Sequence, residues 1–154
     1  MHPNKNSSAR RHWRNSPPKA SDYVKWSLRW GEKYEFLVAE HEKKQHLPDW
    51  KTPSGITDRP ELTFDEELYL KDFYTLSSSR QSGTGLGAIP VSEILKFCEH
   101  FEIPDSEDFL YVIQKIDNAY LEFHREKQEQ DKPKDDGGKS KAVAALAAKG
   151  KGRK

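Results

Sequence analysis

The stretch SSSRQSGTGLGAIP, residues 77–90, sets three glycines within five positions beside an arginine. Glycine-rich loops of that kind can lay backbone N–H groups around a phosphate. A Walker loop requires GxxxxGK[ST], because the lysine and the hydroxyl meet the outer phosphates and Mg²⁺. Here Gly87 is followed by Ala88 and Ile89, so that signature fails. A dinucleotide-binding turn requires a strand before its glycines, whereas LYLKDFYTL has helical spacing. A helix starting at Pro90 could still offer its bare N-terminus to an anion. The expected use of Gly83, Gly85 and Gly87 is conformational: they let the backbone take positive φ and turn tightly between two helices. A functional extension makes Arg80, Gln81, Gly83, Gly85 and Gly87 an exposed loop that contacts a partner protein, since binding residues concentrate on loops.

The remaining chemistry-bearing residues are poorly placed to cooperate. Cys98 and His100 are two apart and point to nearly opposite sides of a helix, and His41 and His46, five apart, are no better placed, so no metal site is expected. Cys98 falls on an apolar stripe, where a small buried thiol is the default. The acids at 65–67 and the Ser-Glu-Asp at 106–108 fall in first helical turns, where the helix dipole favours negative charge. No Ser/His/Asp or Cys/His spacing supports nucleophilic catalysis, so neither an enzyme nor a cofactor is expected. Trp26 and Trp30, with Arg29 and Lys33 nearby, suit either a base-stacking platform or core packing. Core packing is the expectation.

Four helical segments position these residues. Tyr23, Trp26, Trp30, Tyr34 and Leu37 recur at spacings of 3, 4, 4 and 3 and predict one helix with an aromatic face, weakened at Gly31. Pro48, Pro53, Gly55 and Pro60 mark a loop pinned by Trp50 and Ile56. Thr63 and Glu66 form a Thr-x-x-Glu capping box for a second helix, with Tyr69, Phe73 and Leu76 facing inward. Pro90 takes the first position of a third, whose apolar side is Val91, Ile94, Leu95, Cys98 and Phe101. Asp105 caps a fourth, with Phe109, Val112, Ile113, Ile116, Tyr120 and Phe123 on one stripe. The short connection makes the last two an antiparallel hairpin. No segment alternates as a strand, so the fold class is all-α: a small helical domain of about four helices.

Charge divides the 154 residues into three blocks. Residues 1–20 hold five Lys/Arg and no acid, residues 131–154 hold eight against three Asp, and residues 21–130 hold thirteen against twenty-two. An acidic centre of −9 thus lies between two arms of +5 each. The predicted organisation is a disordered basic arm over 1–20, a helical domain over 21–130 and a low-complexity Lys/Ala/Gly-rich tail over 131–154. The arms suit solubility or weak nucleic-acid contact through counterion release. With no long apolar run, no secretory signal and a single cysteine, the expectation is a soluble intracellular protein without a membrane partner.

At RWGEKYEFL, at RPEL (59–62), and from DFYTLSSSR through DNAYLEF, the chain resembles a group of small proteins of tailed bacteriophages and prophages. The similarity runs from about residue 29 to residue 124. Its motif positions here are Leu76, Ser77, Arg80, Gly83, Gly85, Pro90, Asp105, Ile113, Asp117, Tyr120 and Leu121. The resemblance implies a tail assembly chaperone, which associates with the tape measure protein while the tail tube is built and then leaves. It places the protein in the cytoplasm of the infected bacterial host. The competing classes are a nucleic-acid-binding phage accessory protein working through its basic arms, and a minor structural component of the virion.

Two further expectations follow from that pattern. Asp117 bonds a donor of the loop, with Arg80 as the natural partner, and Tyr120 packs beside it, so the two anchor the glycine loop; in the other reading, Asp117 meets a partner protein. Leu70, Tyr74 and Leu110, apolar positions beyond those required inside, either form a groove for an amphipathic client helix or close the core.

Overall fold

A computed structural model describes residues 19–80, 83 and 85–133. The described chain forms α1 (Lys19–Trp30), a 3₁₀ turn (Gly31–Lys33), α2 (Tyr34–Lys44), a single helical turn (Ser54–Thr57), α3 (Phe64–Ser77), α4 (Val91–His100) and α5 (Ser106–Asp131). No strand occurs among the described residues, and the fold is all-α. No helix among them is long and apolar enough to cross a membrane. Residues 1–18 and 134–154, which hold most of the two expected basic arms, lie outside the described residues.

α5 is the backbone of the domain and packs against α1, α3 and α4. Its Phe109, Val112, Ile113 and Ile116 are all buried, as the stripe predicts, while Tyr120 and Phe123 are half-buried. Each such side chain contributes about 1.5–3 kcal/mol by leaving water. Asp105 caps the helix by accepting the Asp108 N–H at 3.1 Å. α4 folds back on α5 through a turn in which Glu102 takes φ +50°, and Phe97 stacks on Phe109 with ring centres 5.7 Å apart.

Thr63 and Glu66 form the expected capping box: the Thr63 hydroxyl accepts from the Glu66 N–H, and the Glu66 carboxylate from the Thr63 N–H at 2.8 Å. Glu66 is buried because it has a second task. Its other oxygen accepts the Lys19 N–H at 3.2 Å, which joins the start of α1 to the start of α3. That bond and the complete burial of Ala20 extend α1 two residues into the stretch expected to be arm.

The expected single aromatic helix is instead two. Gly31, a poor helix former, lies in a 3₁₀ turn that separates α1 from α2. Trp26 is buried, and Tyr23, Trp30, Tyr34 and Leu37 are only half so. The tryptophan stripe is therefore mainly packing. The Trp26 indole N–H donates to the Gly55 carbonyl at 2.8 Å. Gly55 is buried so close to α1 and α2 that a Cβ there would come within 2.7 Å of Leu37 and 3.0 Å of the Trp30 ring. Trp50 pins the next stretch by donating to His41 Nδ1 at 3.1 Å.

Two smaller expectations shift as well. Pro90 is the N-cap rather than the first helical residue, with extended backbone at ψ 136°. On α4 only Ile94 and Cys98 of the predicted face are buried; Val91, Leu95 and Phe101 remain exposed, because α5 covers one narrow side of so short a helix. Leu70 is buried and Leu110 packs against the core, so of the three surplus apolar positions only Tyr74 is exposed.

Candidate functional site

The site is built where α3 ends. Ser78 and Ser79 turn their hydroxyls back onto the Thr75 and Leu76 carbonyls, each at 2.6 Å, which satisfies acceptors that a helix end leaves open. The chain then reaches Arg80, which is nearly buried although it adjoins an exposed loop. Its guanidinium donates Nε–H to Ser77 Oγ at 2.9 Å, Nη1–H to the Gly87 carbonyl at 2.7 Å, and Nη2–H to Asp117 Oδ1. It also lies over the Tyr120 ring at 4.7 Å and the Phe73 ring at 5.9 Å.

Asp117, one of the few buried acids of α5, has both oxygens occupied. Oδ1 takes Arg80, and Oδ2 accepts the Ile89 N–H at 3.0 Å. A buried ion pair forfeits the hydration of both ions, and it is tolerated only when hydrogen bonds satisfy the remaining lone pairs and protons. Ser77, Gly87 and Ile89 supply those bonds. Residues 80 and 89, the two ends of the loop, thus meet one carboxylate, and the guanidinium reaches the loop again at Gly87. Tyr120 completes the site by packing against Arg80. One turn further on, the His124 ring lies 4.5 Å from that of Tyr120. Burial, then the cations Lys127 and Arg80, hold the His124 pKa below its usual range.

Gly83, Gly85, Leu86, Gly87 and Ala88 are exposed, and Gln81 lies outside the described residues. Only Gly85 of the three glycines has a positive φ, +147°, so the expectation that all three turn the chain in that way is corrected. The geometry also weighs against a phosphate. Asp117 already neutralises Arg80, and the N–H of Ile89, at the entry to α4, is directed at an internal carboxylate. Cys98 is buried and His100 exposed, and no cluster of three His/Cys/Asp/Glu side chains able to hold a metal occurs among the described residues.

Sequence reasoning missed Glu66 as a tie between α1 and α3, Gly55 as a point of close approach, and His124 beside the clamp. The RPEL motif flagged the vicinity of Arg59, which lies over the rings of Tyr34 and Trp26, but no local pattern identified those partners.

These features define a class: a small helical scaffold that holds a glycine loop at its neck and displays it. Residues 49–122 match the model of a family described as phage tail assembly chaperone. The matched span covers α3, Arg80, the loop, α4, Asp117 and Tyr120, and leaves α1 and α2 outside. No curated protein and no solved structure matches the chain. The family match supports a role in phage tail assembly, and with it the binding of a phage tail protein.

Proposed function

We propose that the chain acts without catalysis as a tail assembly chaperone or accessory protein, binding another tail protein, with the tape measure protein as its client, in the cytoplasm of the infected host. The observation that carries this reading is the family match, whose span includes the whole clamp and its loop. Gln81, Gly83, Gly85 and Gly87 form the contact loop, and Arg80, expected among its contact residues, instead holds its neck together with Asp117 and Tyr120 as anchors. Anchoring the neck lowers the entropy lost when the displayed residues engage a client. Leu86, at 43% exposure, provides an apolar contact beside the loop glycines.

The test is a tagged pull-down from phage-producing cells, with mass spectrometry of the partners and a parallel nuclease-treated sample. Recovery of the tape measure or another tail protein in both samples is the expected result. Partners that vanish with nuclease would transfer the function to the basic arms, and abundant protein in purified particles would make it a virion component.

A further inference from the structure

Away from the loop, Tyr23, Trp26 and Tyr34 form an aromatic cluster, with Trp26 5.3 Å from Tyr23 and 5.1 Å from Tyr34 between ring centres. Arg59 lies on it. Its guanidinium carbon is 4.8 Å from the Tyr34 ring centre and 5.3 Å from that of Trp26, and Nη1–H donates to the Tyr34 hydroxyl at 3.1 Å. Yet Arg59 is exposed, and among the described residues no carboxylate pairs with it. In a centre so rich in acids this contrasts with Arg80, which is matched and buried.

In front of Arg59 lies a groove of about 820 Å³, with Leu62 and Leu70 among its apolar lining and Lys71, Glu61 and Glu67 among its charged lining. A guanidinium held by aromatic rings is already oriented, so less rotamer entropy is lost when it bonds a ligand. Its planar fork matches a carboxylate, with the adjoining aliphatic surface available for apolar contact. The two glutamates oppose a run of phosphates, whereas Lys71 offsets repulsion of a single acid. The balance of charges therefore selects protein over nucleic acid.

We propose that the Arg59 groove binds a polypeptide segment that presents one acidic side chain flanked by aliphatic ones. This contact is separate from the glycine loop and rests on no assignment made there.

The probe is the capped tripeptide acetyl-Leu-Glu-Leu-amide, titrated into the full chain while the methyl resonances of Ile56, Leu62 and Leu70 are followed by NMR. Its Gln counterpart, acetyl-Leu-Gln-Leu-amide, is the control. Saturable shifts at those methyls are expected, with the Gln peptide at least about tenfold weaker because a charge-assisted bond is lost. Arg59→Gln should abolish the difference between the peptides, and Arg59→Lys should reduce it, while the methyl resonances of the buried Ile113 and Ile116 report that the fold persists. Equal binding of the two peptides, shifts scattered over the surface, or full discrimination by Arg59→Gln would overturn the proposal. Displacement of the peptide by an oligothymidylate would overturn it too, in favour of nucleic acid. Failure of the tripeptide together with capture of a tail protein would remove the groove and leave the assembly reading intact.

Discussion

Asp117 accepts the Arg80 guanidinium on one carboxylate oxygen and the Ile89 N–H on the other, so one side chain of α5 ties the end of α3 to the entry of α4. The loop is displayed from a closed neck instead of hanging between two separate helices.

Breaking this pair is therefore expected to be costly. Asp117→Ala or Arg80→Ala strands a buried charge and should lower unfolding free energy by about 3–5 kcal/mol in urea titrations. The double replacement should cost clearly less than the sum, since the second change removes the charge the first one stranded. In Asp117→Ala the Ile89 amide should exchange faster with solvent. Additive effects, or an unchanged exchange rate at Ile89, would count against the clamp.

His124 makes stability depend on pH. Burial, with smaller contributions from Lys127 and Arg80, sets its folded-state pKa below the ordinary 6.5. The unfolded chain accordingly takes up this proton first as pH falls. The contribution is fully present above the unfolded pKa, is lost as pH falls toward the folded one, and changes no further below that. Urea midpoints for the parent and for His124→Phe at about pH 7.5 and 5.5 should show the larger acid-side loss in the parent. Equal losses would show that His124 does not contribute.

Gly55→Ala should destabilise through overpacking. The new methyl would press on Leu37 and on the Trp30 ring, and the contact joins α1, α2 and the Ser54–Thr57 turn. A loss of about 1–3 kcal/mol is expected by thermal or urea unfolding. Leu37 ends in a flexible side chain, so the rigid indole is the stronger obstacle.

The loop glycines should separate into two kinds. An added Cβ meets nothing within 4 Å at Gly83, Gly85 or Gly87, but only Gly85 has a φ that L-residues avoid. Gly85→Ala should cost about 1–2 kcal/mol in backbone strain. Gly83→Ala and Gly87→Ala should be neutral or stabilising by up to about 1 kcal/mol, through lower entropy of the unfolded chain. Comparable losses at all three positions in urea titrations would overturn this distinction.

Much of the architecture is legible residue by residue. The Thr63/Glu66 box and the Asp105 cap are local patterns in which donor and acceptor lie within one turn, so the sequence displays them directly. The α5 stripe is equally plain, because each of its buried positions repeats with the helical period. The break at Gly31 was only partly visible: the aromatic spacing continues across it, and a period cannot reveal that the helix beneath has changed pitch. Val91 and Leu95 show a further limit, since periodicity marks the apolar side of α4 but not how much of it a neighbour covers.

By itself, then, the sequence determined the helical class, the caps and the apolar stripes, all products of interactions over three or four residues. The resemblance drawn from its motif positions marked Arg80, Asp117 and Tyr120 as a neighbourhood. Tertiary structure alone decided that Asp117 meets both Arg80, 37 residues away, and Ile89, 28 away. It alone laid Arg59 on Trp26 and Tyr34 and placed Gly55 beneath an indole. Such contacts depend on how packed helices are rotated about their axes, and that rotation is set by the shape of the whole core rather than by any short stretch of chain.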